Sequence, residues 1–108
     1  MNINGIEYVE KVKTSGDYVI VRTYSAGVHA GYLEKREGKV VTLIGARRIW
    51  KWAGAATLSQ LSMEGTSDPD NCKFPCVVAK VILTEAIEII ECTEKARKSI
   101  AGVKIWEQ

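Results

Sequence analysis

Tyr18-Val19-Ile20-Val21-Arg22-Thr23-Tyr24, broken by Ser25-Ala26-Gly27 and followed by Val28-His29-Ala30-Gly31-Tyr32-Leu33-Glu34, is the stretch that decides the fold. The first run is rich in β-branched and aromatic residues and reads as a strand. The second reads the same way, with Ala30 and Gly31 marking a bulge or a close backbone approach. Lys35-Arg36-Glu37-Gly38-Lys39 is a charged turn with glycine placed for positive φ. Val40-Val41-Thr42-Leu43-Ile44 is a third strand. Strands joined by such short links pair antiparallel, so the spacing predicts a β-meander.

Upstream, Ile3, Ile6, Val9 and Val12 recur every three residues, as a short helix or an irregular arm, and Ser15-Gly16-Asp17 is a turn signal. Downstream, Gly45-Ala46 punctuates the chain. Thr57 is placed to cap a helix over Leu58 to Met63, which Gly65 ends. Thr66 to Asn71 is the strongest loop signal, and Val77 to Leu83 reads as a strand. Glu85 to Cys92 has glutamates every three residues, as in a helix, but an isoleucine content that favours a strand; the strand is preferred. Thr93 to Ile100 reads as a capped helix with acid first and base last, stopped by Gly102. Val103-Lys104-Ile105-Trp106 is placed as a last edge strand. These elements make an α+β fold, an antiparallel meander sheet with one or two short helices. The expected organisation is one compact domain over 1–108, with 1–16 as an N-terminal arm and 17–108 as the core.

The composition, with 46% hydrophobic and 26% charged residues in a chain of 108, is that of a soluble globular domain whose core is small enough for oligomerisation to help. A net charge of +2 is too small to attract duplex DNA or a membrane. The charge is uneven: residues 1–53 carry nine Lys/Arg against five Asp/Glu, and 54–108 carry six against eight. A local positive field suits a small anion better than a long polyanion, which needs many phosphate contacts. There is no run of about 18 apolar residues for a membrane span and no signal-peptide pattern, so a cytoplasmic protein with reduced cysteines is expected. Cys72, Cys76, Cys92 and the single histidine do not have metal-ligand spacing, so no metal or cofactor is expected.

The chemistry concentrates in Arg47-Arg48-Ile49-Trp50-Lys51-Trp52. If this segment is extended, Arg48, Trp50 and Trp52 share one face, and Arg47, Ile49 and Lys51 the other. Indole stacks on a flat base and guanidinium pairs with phosphate, so the cluster suits a planar anion. The bland alternative puts both tryptophans in the core. Two further candidates are weaker. The corner Tyr24-Ser25-Ala26-Gly27 with His29 exposes amides and hydroxyls that could meet a sugar, phosphate or base edge, although a plain hairpin turn needs nothing more. Asp68 and Asp70 lack the remaining ligands of a calcium loop, which leaves Asn71 and Lys73 as possible pocket rims. Catalytic patterns fail: there is neither a phosphate-cradling glycine loop nor a Gly-x-Ser-x-Gly elbow, so no enzyme is expected.

Three blocks carry a resemblance: Val19 to Leu33, Ala46 to Ala55, and Asn71-Cys72-Lys73-Phe74-Pro75. They are similar to a family of small tailed-phage proteins known by sequence and not by activity. In size, compartment and site chemistry the chain also loosely resembles phage anti-defence "sponges" of the anti-CBASS and anti-Thoeris type, which sequester cyclic oligonucleotides or cyclic ADP-ribose derivatives. That resemblance implies a homo-oligomeric protein in the cytoplasm of an infected bacterium that binds a small nucleotide without hydrolysing it. The resemblance carries over no binding residue; on the chemistry of the residues alone, Arg47 and Arg48 would hold phosphates, Trp50 and Trp52 would stack on bases, Tyr24, Ser25 and His29 would touch sugar or base edges, and Asn71 and Lys73 would close the pocket. The alternatives are an adaptor that docks a Trp/Arg face on a host protein and a binder of single-stranded nucleic acid.

Overall fold

The computed structural model describes residues 14–107. The expected arm therefore lies largely outside the described residues. Five strands and two helices follow in the order β1 (Thr14–Thr23), β2 (Val28–Glu37), β3 (Val40–Arg48), α1 (Leu58–Glu64), β4 (Val78–Leu83), β5 (Ala86–Thr93) and α2 (Glu94–Gly102), with a 3-10 turn at Pro69–Asn71. All pairings in the five-stranded sheet are antiparallel, in the order β4-β3-β2-β1-β5. The fold is the expected α+β, with β1–β2–β3 as the meander.

The differences from the sequence reading have local causes. Thr14 pairs with Thr93, so 15–17 lie within a strand, and a register shift between Thr14 and Val19 absorbs the turn-like residues. Arg36 and Glu37 pair with Val41 and Val40, which leaves only Gly38-Lys39 as the turn. Gly45-Ala46 does not end β3. Both residues oppose the single Gly31, with Tyr32 paired to Ile44 on one side and Ala30 to Arg47 on the other. Gly45 takes φ 58°, the left-handed residue of a glycine bulge. A Cβ on Gly31 would lie 2.9 Å from the Ala46 Cα, so this crossing needs the bare backbone. Val103–Trp106 forms no strand, only a parallel bridge from Ile105 to Phe74. Nor does α2 end in a base: Arg97 turns back to Glu94 at 2.6 Å.

The order of strands forces the sheet to roll. β4 and β5 are its two edges, yet only Thr84 and Glu85 join them. Leu83 and Ala86 lie within about 11 Å of each other, the reach of three residues. Flat strands would hold the two edges roughly 19 Å apart, four strand spacings. The sheet therefore coils until the corners meet, and two backbone bonds fasten them: Ala86 N donates to the Lys39 carbonyl and Tyr24 N to the Glu85 carbonyl, both at 3.0 Å. The concave side encloses Val19, Val21, Val41, Leu43, Ala46, Leu83 and Ala86, a cluster made only of strand and strand-end residues. The convex side packs Tyr18, Ile20 and Ala30 against Leu61 of α1, Ala96 and Ile100 of α2, and Phe74. Period-two alternation feeds both clusters from the same strands.

Both helices are capped as the sequence implies. Thr57 accepts from Gln60 N, and Gly65 donates back to the Leu61 carbonyl. Thr93 Oγ1 accepts from Ala96 N at 3.1 Å and donates to the Met63 carbonyl at 2.7 Å, which ties α1 to α2. No helix among the described residues is long and apolar enough to cross a membrane.

Candidate functional site

Alternation along the end of β3 sends its two arginines in opposite directions. Arg47 follows the convex side and is only 3% exposed, like Ile49 two residues on. Its Nη1 donates to the Ile100 and Val103 carbonyls, both at 2.9 Å, its Nη2 to Phe74 at 2.9 Å, and its Nε to Pro75 at 3.1 Å. The guanidinium also lies 5.5 Å from the Phe74 ring centre. Desolvation pulls its pKa below the ordinary value, and four carbonyls compensate for the burial. Arg47 therefore joins the carbonyls at the C-terminal end of α2 to the Phe74–Pro75 segment. This corrects its assignment to phosphate, because four of its five N–H donors are already committed and the group is buried. Arg48 is exposed and makes no ion pair among the described residues.

The tryptophans divide as well. Trp50, on the Arg48 side, is 60% exposed. Trp52 is half-buried, packs on the convex core and donates its indole N–H to the Ala55 carbonyl at 3.1 Å. The expected alternation thus holds from Arg47 to Trp50 and lapses where the chain leaves the sheet. Lys51 pairs instead with Lys73: Lys73 N donates to the Lys51 carbonyl at 2.8 Å, and Trp50 N to that of Lys73 at 3.1 Å. On the other side of the same short segment, Trp106 N donates to the Phe74 carbonyl at 3.0 Å. Trp50 and Trp106 consequently flank Lys73, with ring centres 6.4 Å apart and planes inclined by 12°. The Lys73 ammonium lies 5.3 Å from the Trp106 ring centre.

The corner after β1 is a self-bonded turn. Thr23 Oγ1 donates to the Gly27 carbonyl and accepts from Ala26 N, and Gly27 takes φ 83°. Ser25 Oγ donates to Glu85 at 2.6 Å, and Tyr24 stands 78% exposed. His29 is buried, with its Nε2 3.0 Å from the Ala26 carbonyl. Desolvation first, and Arg48 to a lesser degree, hold its pKa below the usual histidine value.

Two depressions, each of about 360 Å³, meet along Arg48 and Trp50. One is apolar, lined by His29, Ala46, Pro75, Cys76, Val78 and Val81. The other is lined by Ser25 to Val28, Ile49 and Trp52. That volume lies within the range of small-molecule sites. Of the nine residues expected at a site, the fold brings Ser25, His29, Arg48, Trp50 and Trp52 around these hollows, with Lys73 alongside. Tyr24 stands near the corner but lines neither hollow. Arg47 is inside, and Asn71, in the 3-10 turn, donates to Asp68 at 2.9 Å, away from Arg48. A separate polar depression of about 360 Å³ lies where Arg36 and Lys39 meet Glu88 of β5; it has no aromatic wall. No group of three or more His, Cys, Asp or Glu among the described residues could hold a metal ion. Sequence reasoning missed Trp106, whose approach to Trp50 depends on the remote Phe74–Ile105 bridge. It also missed Cys76 and Val78, which carry no motif.

A family model described as a domain of unknown function (DUF6948) matches residues 16–100. No curated protein matches the chain, and no solved structure does.

Proposed function

We propose that this chain, which belongs to the DUF6948 family, binds a small nucleotide second messenger, of the cyclic oligonucleotide or cyclic ADP-ribose type, and retains it unhydrolysed. One observation carries the reading: the exposed Arg48 guanidinium and the exposed Trp50 indole form a ridge between two hollows of nucleotide-fragment size. Among the described residues Arg48 has no acidic partner, so a phosphate would be a strong acceptor for it. Trp50 offers a stacking surface, and Ser25 and the 26–28 backbone offer polar edges. Retention is favoured over hydrolysis because His29, the sole histidine, is buried and directs its Nε2 to a backbone carbonyl. The resemblance to tailed-phage proteins supports an anti-defence setting, in which a phage protein removes an immune messenger from the infected cytoplasm. The test is to mix purified protein with a panel of cyclic dinucleotides, cyclic trinucleotides and cyclic ADP-ribose isomers, then release the ligand by heat. Intact nucleotide recovered from the protein fraction is expected. Absence of binding across the panel would remove the reading, and recovery of a cleaved product would make the protein a hydrolase.

A second reading, a docking face for a host protein, draws on the apolar residues near the ridge. Val77, Val78 and Ile105 are all substantially exposed, and exposed Trp and Arg are the common anchors of protein interfaces. A single host protein co-purifying with the chain, together with no nucleotide binding, would favour it.

A further inference from the structure

We infer that Trp50 and Trp106 are the two walls of an aromatic clamp for one purine base, with Lys73 and Arg48 beside it as the phosphate contacts. The inference rests on the nucleotide reading above and narrows it to a ligand class and a residue set. Its basis is the three-layer arrangement around Lys73. The 50–51 segment bridges one side of Lys73–Phe74 antiparallel, and the 105–106 segment bridges the other side in parallel. Backbones two strand spacings apart are separated by roughly 10 Å. The indoles lean inward across that gap until their centres are 6.4 Å apart, and they remain nearly parallel at 12°. A flat ring seated between two others needs about 7–8 Å, twice the optimal carbon–carbon contact of 3.5–4.0 Å. The walls are thus already nearly parallel, and a side-chain rotation that parts them to that spacing would admit a base. Trp106 is placed to make that movement, because it follows α2 and is attached through one backbone bond and the neighbouring Ile105 bridge.

Charge is arranged to suit the same guest. Lys73 stands 5.3 Å from the Trp106 ring, and neither Lys73 nor Arg48 is engaged in an ion pair among the described residues. Asp70, Glu107 and Lys104 line, together with Trp106 itself, a depression that reaches neither Trp50 nor Arg48. A base entering between the indoles would bring its phosphate within reach of Lys73 and Arg48. Purines should be preferred over pyrimidines, since a larger ring covers more of both walls.

The test follows tryptophan fluorescence while AMP, GMP, CMP, UMP, cyclic di-AMP and cyclic di-GMP are added to the purified chain. Purine nucleotides are expected to quench the emission and to bind more tightly than CMP or UMP. Trp106→Leu keeps apolar bulk without a stacking face and should weaken purine binding by about tenfold or more. Trp106→Phe should recover most of that loss. Purine binding equally strong in wild type and Trp106→Leu would overturn the clamp while leaving the nucleotide reading in place. No binding of any nucleotide in this set would overturn the clamp, and no binding across the wider cyclic panel as well would overturn both. A matched melting temperature for Trp106→Leu and Trp106→Phe separates loss of the wall from loss of the fold.

Discussion

Replacing Arg47 removes a guanidinium shared by four backbone carbonyls. Arg47→Ala leaves these acceptors without their donor and should cost about 3–5 kcal/mol, the range for breaking a buried charged network. Chemical denaturation would measure it, and a loss below about 1 kcal/mol would contradict the structural role. Arg48→Ala should change stability by no more than about 0.5 kcal/mol, as exposed substitutions do, yet abolish or strongly weaken nucleotide binding. Two adjacent arginines look equivalent in a sequence. What separates them is the pair of carbonyls at Ile100 and Val103, more than fifty residues away, and no local pattern announces that pairing. His29 adds a pH dependence. Its folded pKa lies below the usual 6.5 because burial disfavours the charged form. As the pH falls below about 6.5 the unfolded chain takes the proton first, so stability present at neutral pH is lost as the pH drops through the folded value. Glu94, held below the ordinary carboxylate range first by its hydrogen bond from Arg97, loses its contribution in a more acidic window. Melting temperatures of wild type and His29→Gln should converge as the pH falls below about 6.5. Parallel curves would show that the imidazole does not set this slope.

Among the elements, the joint between α2 and β5 concentrates two bonds on one hydroxyl. Thr93 caps α2 through Ala96 N and reaches α1 through the Met63 carbonyl. Thr93→Ala should cost about 2 kcal/mol, a cap of about 1 kcal/mol plus a hydrogen bond of similar size. Thr93→Ser should restore most of it in thermal unfolding. At the β2–β3 crossing, Gly31→Ala would push a Cβ against the Ala46 backbone and should cost roughly 1–3 kcal/mol, as overpacking does. Much of this level was legible from the chain alone. Alternating Val, Ile and Tyr runs, short turns and capping threonines all act within a few residues, and they place β1 to β3, α1 and α2 correctly. The glycine in Gly45-Ala46 reads as a break in the sequence because a left-handed residue ends a strand as readily as it bulges one; the ladder with Gly31 decides between them. The clamp was out of reach for the same reason. Trp106 acquires meaning only through its bridge to Phe74, which itself pairs with nothing near it in sequence.

For the molecule as a whole, rolling the sheet fastens one corner and leaves the remaining length of both edge strands to be protected. β5 carries Glu88 and Glu91, and Glu88 receives Arg22 at 2.9 Å, so that edge is charged. β4, Val78-Ala79-Lys80-Val81-Ile82-Leu83, has one charge, and Lys80 is drawn aside to Glu34 at 3.8 Å. Val78 is well exposed and Ile82 is 60% exposed. An apolar edge whose amides and carbonyls face no strand among the described residues is a template for another strand unless something covers it. A second copy of the same edge is the simplest cover, because a two-fold axis lets one strand pair antiparallel with itself. Homo-oligomerisation, which the thin core of a small domain also favours, is therefore expected to run through β4. Light scattering on the purified chain should give a mass that is a multiple of 11.9 kDa. Ile82→Lys, which adds a like charge beside Lys80 at the proposed seam, should reduce it to a single chain while the circular dichroism spectrum stays unchanged. A wild-type protein that remains a single chain at concentrations of about 100 μM, far above the dissociation constants typical of specific assemblies, would refute pairing through this edge, and the nucleotide site would then have to be complete within one chain.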